Sequence, residues 1–139
     1  MSAYSKLYLN DVVENQGKLF DLVANEYPMM DTEDFINAYM MSKTRKAIDE
    51  SQAYVNTMDP RTLWEYFVST EGYYLKSGDE TLGGFFPMWL GEFYSYYQWY
   101  YNISSAEIIH RLPIKTMKRI YVGLCDLPLE KAVQKVGCR

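Results

Sequence analysis

Few side chains in this sequence combine a type and a spacing that could do chemistry. His110 is the only histidine, and Cys125 and Cys138 are the only cysteines. A nucleophilic thiolate needs a neighbouring base or cation. Fifteen residues and an expected helix break separate His110 from Cys125, so this thiol reads as inert and buried. A zinc site needs closely spaced Cys and His pairs. No such spacing occurs, and neither a metal nor a cofactor is expected. The carboxylates fall in adjacent pairs, Glu33 with Asp34, Asp49 with Glu50 and Asp79 with Glu80. Neighbours in sequence diverge from a helix or loop, so these pairs read as solvated surface rather than a general acid and base. No residue is assigned a catalytic role, and an enzyme is the third reading.

Binding chemistry is better represented. Residues 107 to 139 hold seven basic side chains against three acidic ones, a balance of +4, whereas residues 1 to 106 stand at -8. Arg111, Lys115, Lys118 and Arg119 follow one another at near-helical spacing, a pattern that would suit phosphates. Two short helices joined at Pro113 resemble a helix-turn-helix, but the turn glycine and the polar residues of a recognition helix are missing. A solvated face is the favoured reading of these four residues, and a nucleic-acid-binding regulator is the alternative function.

The densest signal is aromatic. The chain holds 14 Tyr, 6 Phe and 3 Trp, and ten of these rings lie between Phe85 and Tyr101. On a helix, Trp89, Phe93, Tyr96, Tyr97 and Tyr100 share an arc of about 100°, the width of a core stripe, and Gly91, Ser95 and Gln98 form the only small or polar side. Such a helix belongs at the centre of a domain. Leu90 widens the arc on the side of Tyr94 and Tyr101, Trp99 lies on the other flank, and the three rings Tyr94, Trp99 and Tyr101 exceed what one core stripe needs. Together with Tyr73 and Tyr74 they are the expected protein-contact patch, because large rigid rings concentrate binding energy.

The elements that must position these groups are helical. Leu9, Val12, Val13, Leu19, Phe20, Val23 and Tyr27 recur at three- and four-residue steps until Pro28. Asp31 caps a second periodic segment that breaks near Ser42 and continues through Ile48. Asp59 and Pro60 start a helix carrying Leu63, Trp64 and Phe67, since aspartate caps and proline fits the first turn. Residues 71 to 84 contain four glycines and read as a loop, with room for a small hairpin. Pro87, Ser104 with Glu107 in a reciprocal capping box, Pro113 and Pro128 open the remaining helices. The expectation is an all-α single domain over 1–139 of about seven helices, with an N-terminal part near 5–70 and a C-terminal part near 85–137. Trp64, Phe67, Trp89, Phe93, Tyr97 and Ile120 are its expected core.

At 139 residues, 48% hydrophobic and formally -4, the chain is long enough to bury a substantial core. Its apolar fraction excludes a disordered chain. Two cysteines are too few for a disulfide scaffold. No apolar run approaches the roughly 20 residues of a membrane span, and residues 1–10 lack a signal-peptide layout. A cytoplasmic protein that does not contact membrane is expected.

The stretch Trp89-Leu-Gly-Glu-Phe-Tyr-Ser-Tyr-Tyr-Gln-Trp-Tyr-Tyr-Asn-Ile, the helix from Ser104 to Leu112, and Gly123-Leu-Cys-Asp-Leu with Ala132-Val133 resemble a group of short uncharacterised bacterial proteins. Their genes often lie near genes for ADP-ribosyltransferase-like toxins. Met58-Asp-Pro and Leu63-Trp-Glu-Tyr-Phe extend the likeness, which covers residues 33 to 137. It carries no catalytic residues. What it implies is a regulatory role in a toxin-antitoxin or phage-conflict setting. The expected function is therefore that of a small protein-binding module, its partner another protein or a second copy in a homodimer, with nucleic acid as the lesser alternative.

Overall fold

The computed structural model describes residues 5–50, 58–78 and 82–138. Among them lie eight α-helices and no strand: α1 (Lys6–Glu26), α2 (Thr32–Met40), α3 (Lys43–Asp49), α4 (Pro60–Glu71), α5 (Phe86–Tyr101), α6 (Ser105–Arg111), α7 (Ile114–Leu124) and α8 (Leu129–Val136). The all-α class is as expected. The start signals act locally: side chains of Asp31, Ser42, Asp59 and Ser104 accept from the main-chain N–H of Asp34, Arg45, Thr62 and Glu107. Such caps satisfy amides that a helix leaves unpaired. Ser104 makes its half of the expected capping box, while the Glu107 carboxylate reaches forward to Arg111 at 3.1 Å.

α1 and α5 form the central pair, one from each half of the chain, so the two sequence halves share a core. They cross at two glycines. A methyl group on Gly91 would lie 2.5 Å from the Gln16 carbonyl oxygen, and one on Gly17 would lie 2.9 Å from that of Met88. The small side of α5 thus faces inward: Gly91, Ser95 and Gln98 are all buried. α1 crosses α5 on this side at Gly91.

The aromatic side of α5 is covered mainly from the C-terminal end of the chain, with Tyr121 of α7 set edge-on against Phe86 and Trp89. On the far side of α1, the rings of Phe20, Phe35, Tyr39, Trp64 and Phe67 make a second aromatic cluster. Trp64, Phe67, Trp89, Phe93 and Tyr97 are buried as expected. Ile120 is a correction. It is half-buried, because the inward stripe of α7 runs through Ile114, Met117 and Leu124 and Ile120 stands at its edge.

The glycine-containing segment after α4 does not form its own hairpin within its described residues. It pairs instead with the turn after α1: Asp31 N–H donates to the Lys76 carbonyl at 2.6 Å and Gly78 N–H to that of Met29 at 3.1 Å. This ties the segment that carries Tyr73 and Tyr74 to the start of α2. No described helix is long and apolar enough to cross a membrane.

Candidate functional site

The five aromatic residues expected to form a patch do not gather into one. Tyr94 is 1% exposed, and its hydroxyl donates to the Leu112 carbonyl at 2.6 Å. It is a core residue, which corrects its assignment to a surface. Tyr101 and Trp99 are half-buried at the end of α5. The Tyr101 hydroxyl donates to the Val133 carbonyl of α8, and Trp99 packs edge-on against Tyr96. Tyr73 sits against Phe35, Trp64 and Phe67 with its hydroxyl on the Asp34 carboxylate at 2.8 Å. Burial, and then the Asp34 hydrogen bond and charge, push its pKa above the ordinary range. Only Tyr74, 86% exposed, stands out in solvent.

The basic residues, in contrast, all lie on the surface. Arg111 pairs with Glu107 within α6. Lys115, Lys118 and Arg119 are exposed on α7, and none of the described ion pairs engages them. Their spacing is completed by Val122, which is 79% exposed. The four occupy steps of three and four residues, so they form one outward stripe opposite Ile114, Met117 and Leu124. A second apolar side chain stands at the same end of the molecule: Phe85 is 82% exposed, and its neighbour Phe86 meets the neighbour of Val122, Tyr121, with ring centroids 5.2 Å apart.

No described hydrogen bond joins His110 to either cysteine. His110 is exposed with Nδ1 2.7 Å from the Ala106 carbonyl oxygen of its own helix. Cys125 is half-buried rather than fully buried, and Cys138 is exposed. No group of three or more potential metal ligands occurs among the described residues. The Glu33–Asp34 pair is at least partly exposed, while Asp79 and Glu80 lie outside the described residues.

The pair Asp49–Glu50 departs furthest from a solvated surface. Glu50 is exposed but Asp49 is buried. Asp49 accepts from the Ser105 N–H at 2.8 Å and the Ser105 hydroxyl at 2.7 Å, and it lies 3.2 Å from Nε of the buried Arg45. Arg45 Nε also donates to the Ser105 hydroxyl oxygen. Burial raises the Asp49 pKa, and the Arg45 charge and the Ser105 bonds oppose it. Ser105 has no solvent access, so this network fastens α3 to α6 rather than attacking a substrate. A buried pair of this kind is costly to break one-sidedly, about 3–5 kcal/mol. Arg45 and Asp49 stand four residues apart, a spacing visible in sequence, but Ser105 joins them from 56 residues away.

Beside this network lies a cavity of about 520 Å³, between the end of α2, α3, the end of α5 and the start of α6. Asp49, Glu50, Lys43 and Lys46 contribute to one wall, and Gln98 and Asn102 to another. Searches of family models, of curated proteins and of solved structures each find no match to this chain.

Proposed function

We propose that the protein works by binding a partner protein through the outer face of α7, and that the partner presents acidic side chains around an apolar hollow. The observation that carries this reading is the stripe of Lys115, Lys118, Arg119 and Val122: three cations outside any described ion pair, next to an aliphatic side chain that gains nothing from exposure. Cations at an interface steer association and select against basic competitors. An exposed apolar side chain beside them supplies area to desolvate. A regulatory partner role, in the toxin-antitoxin or phage-conflict setting implied by the sequence resemblance, is consistent with such a face. The acidic balance of residues 1–106 also makes a second copy of this chain one candidate partner.

Nucleic acid is the second reading, because the same three cations would suit a phosphate backbone. Val122, the fourth member of the stripe, is 79% exposed and makes no phosphate contact, so it favours the protein partner.

The test compares wild type with a Lys118→Glu/Arg119→Glu variant and a Val122→Ala variant. Affinity capture from the native host identifies the partner, and titration with the purified partner measures the effect. The charge reversal should weaken binding by about tenfold or more and Val122→Ala by a smaller factor, with both melting temperatures close to wild type. Undiminished binding by the charge-reversed protein would remove α7 from the interface. Tight binding to duplex or single-stranded oligonucleotides that collapses with salt would favour the second reading.

A further inference from the structure

A surface of the kind the α7 stripe calls for, acidic side chains around an apolar hollow, stands on this same chain. On the side formed by α2 and α4, a hollow of about 440 Å³ is lined by Ala38, Phe67, Tyr73 and Tyr74, with Asp34 and Glu71 in its walls. The ring of Tyr74 is 86% exposed at this hollow, so it offers a large apolar face that nothing in the fold covers.

The charge there is not balanced from within. Lys76 lies 3.4 Å from Asp34 and matches that one carboxylate. Glu71 is half-buried, so it has lost part of its hydration, yet it enters none of the described ion pairs. Asp31 adds a further carboxylate next to this wall, where its N–H donates to the Lys76 carbonyl. The hollow is therefore short of cations, while Lys115, Lys118 and Arg119 on α7 are cations outside any described ion pair. Each surface also carries exposed apolar side chains, Tyr74 on one and Val122 with Phe85 on the other.

We propose that the partner of the α7 stripe is a second copy of this chain, with Lys115, Lys118, Arg119 and Val122 of one copy seated on the Asp34–Glu71–Tyr74 hollow of the next. Opposite charge steers and registers the two surfaces. A cation over the face of Tyr74 gains further from the ring quadrupole. The two surfaces belong to different elements of the chain, so the contact is head-to-tail: each copy uses its stripe on one neighbour and offers its hollow to another, which builds a ring or an open string rather than a two-fold dimer. This inference rests on the reading of α7 as an interface and names what that interface holds.

The test is sedimentation velocity of the full-length protein from micromolar to millimolar concentration, at low and high salt, with melting temperatures recorded for every variant. The mean mass of wild type should rise with concentration beyond one chain and fall back at high salt, because exposed charges are screened. Lys118→Glu/Arg119→Glu and Glu71→Gln/Tyr74→Ala should each weaken association by about tenfold or more. Mixing these two variants should restore a single contact, since the first keeps an intact hollow and the second an intact stripe. The mixture should then form one-to-one pairs and nothing larger. A wild type that stays a single chain at millimolar concentration and low salt would overturn the proposal. So would association that survives either variant unchanged, or a mixture in which the two variants stay apart. Should Glu71→Gln/Tyr74→Ala fail to fold, Tyr74→Ala alone decides, because that exposed ring supports nothing beneath it, and association unchanged by its loss would equally overturn the proposal. A single-chain wild type whose capture of another protein is lost in Lys118→Glu/Arg119→Glu would overturn self-association alone. The α7 reading itself falls only if neither self-association nor capture responds to that variant.

Discussion

Around Phe35, rings arrive from four separate segments. Phe20, Tyr39, Trp64, Phe67 and Tyr73 have centroids 5.2–6.2 Å from it, three of them edge-on. Along α5 the rings instead follow one another at every fourth residue: Trp89 to Phe93 at 5.0 Å, Phe93 to Tyr97 at 5.8 Å, and Tyr97 to Tyr101 at 4.7 Å. The first assembly is a hub, held by side chains that meet only once the chain has folded. The second is a ladder, built along a single helix and then covered. The same chemistry therefore contributes differently: the hub joins α1, α2, α4 and the Tyr73 segment, while the ladder gives α5 a face on which α7 and α8 can dock.

The largest effect that would sharpen this contrast comes from removing one ring from each. Phe35→Ala and Phe93→Ala both empty a fully buried site, and each should cost about 3–5 kcal/mol. Phe35→Ala should be the larger, because the space it leaves is bounded by rings from separate elements that cannot collapse together. Urea unfolding monitored by near-ultraviolet circular dichroism measures both. A Phe93→Ala protein less stable than Phe35→Ala would show that the ladder, not the hub, carries the core.

The contrast also accounts for what the sequence revealed. Trp89, Phe93 and Tyr97 were legible as core because a helix repeats every 3.6 residues, so spacing alone puts them on one side. Phe35 was visible only as one apolar position of α2, since its partners come from elements whose packing no local pattern encodes. Tyr94 shows the limit from the other side. It lies off the centre of the arc, yet α5 is covered nearly all round, and the Leu112 carbonyl gives its hydroxyl a partner. Lys115, Lys118 and Arg119 were readable as an exposed face by the same periodicity. Asp49 was not readable as buried, because Arg45 and Ser105 make its burial tolerable and Ser105 is distant in sequence. Gln98 stood out as polar on an aromatic helix, but its place beside a cavity required the tertiary structure.

Between hub and ladder lies the crossing of α1 and α5, where an intermediate effect is expected. Glycine inside a helix is ordinarily worse than alanine by about 1 kcal/mol, so Gly91→Ala on helix propensity alone should stabilise. The position forbids it: the new methyl would lie 2.5 Å from the Gln16 carbonyl oxygen and 2.9 Å from Cα of Gly17, both main-chain atoms. Separating the helices to admit it should cost about 1–3 kcal/mol. Gly17→Ala should cost less, since its closest clash is with the Glu92 side chain and the Met88 carbonyl oxygen is at 2.9 Å. A Gly91→Ala protein that melts above wild type would mean that the helices are not in contact there, and that hub and ladder are joined by something else.

The smallest effects lie in the hydroxyl groups, where the two assemblies differ again. In the hub, the Tyr39 hydroxyl donates to a side chain, Gln16 Oε1, at 2.6 Å. Beside the ladder, the Tyr94 hydroxyl donates to the main-chain carbonyl of Leu112, also at 2.6 Å. A side-chain acceptor can turn to another partner when its donor is lost, whereas a carbonyl at the end of a helix is fixed. Tyr94→Phe should therefore cost about 1–3 kcal/mol at neutral pH and Tyr39→Phe about 1 kcal/mol. Alkaline pH separates them further. Burial raises the Tyr39 pKa to about 12, with the Arg45 charge and the Gln16 bond acting against it; burial and then the Glu33 charge raise that of Tyr94. A raised pKa means that the folded state keeps a proton which the unfolded chain releases near pH 10. Stability must then fall as pH rises from about 10 towards 12, by up to about 1.4 kcal/mol per pH unit for each such tyrosine. Either Phe variant should flatten that limb by its own share, so Tyr39→Phe, slightly weaker than wild type at pH 7, should match or exceed it near pH 12. Urea midpoints across this range test the sign directly. An alkaline limb as steep in Tyr39→Phe as in wild type would mean that Tyr39 titrates as freely folded as unfolded, and that the hub admits water where the ladder does not.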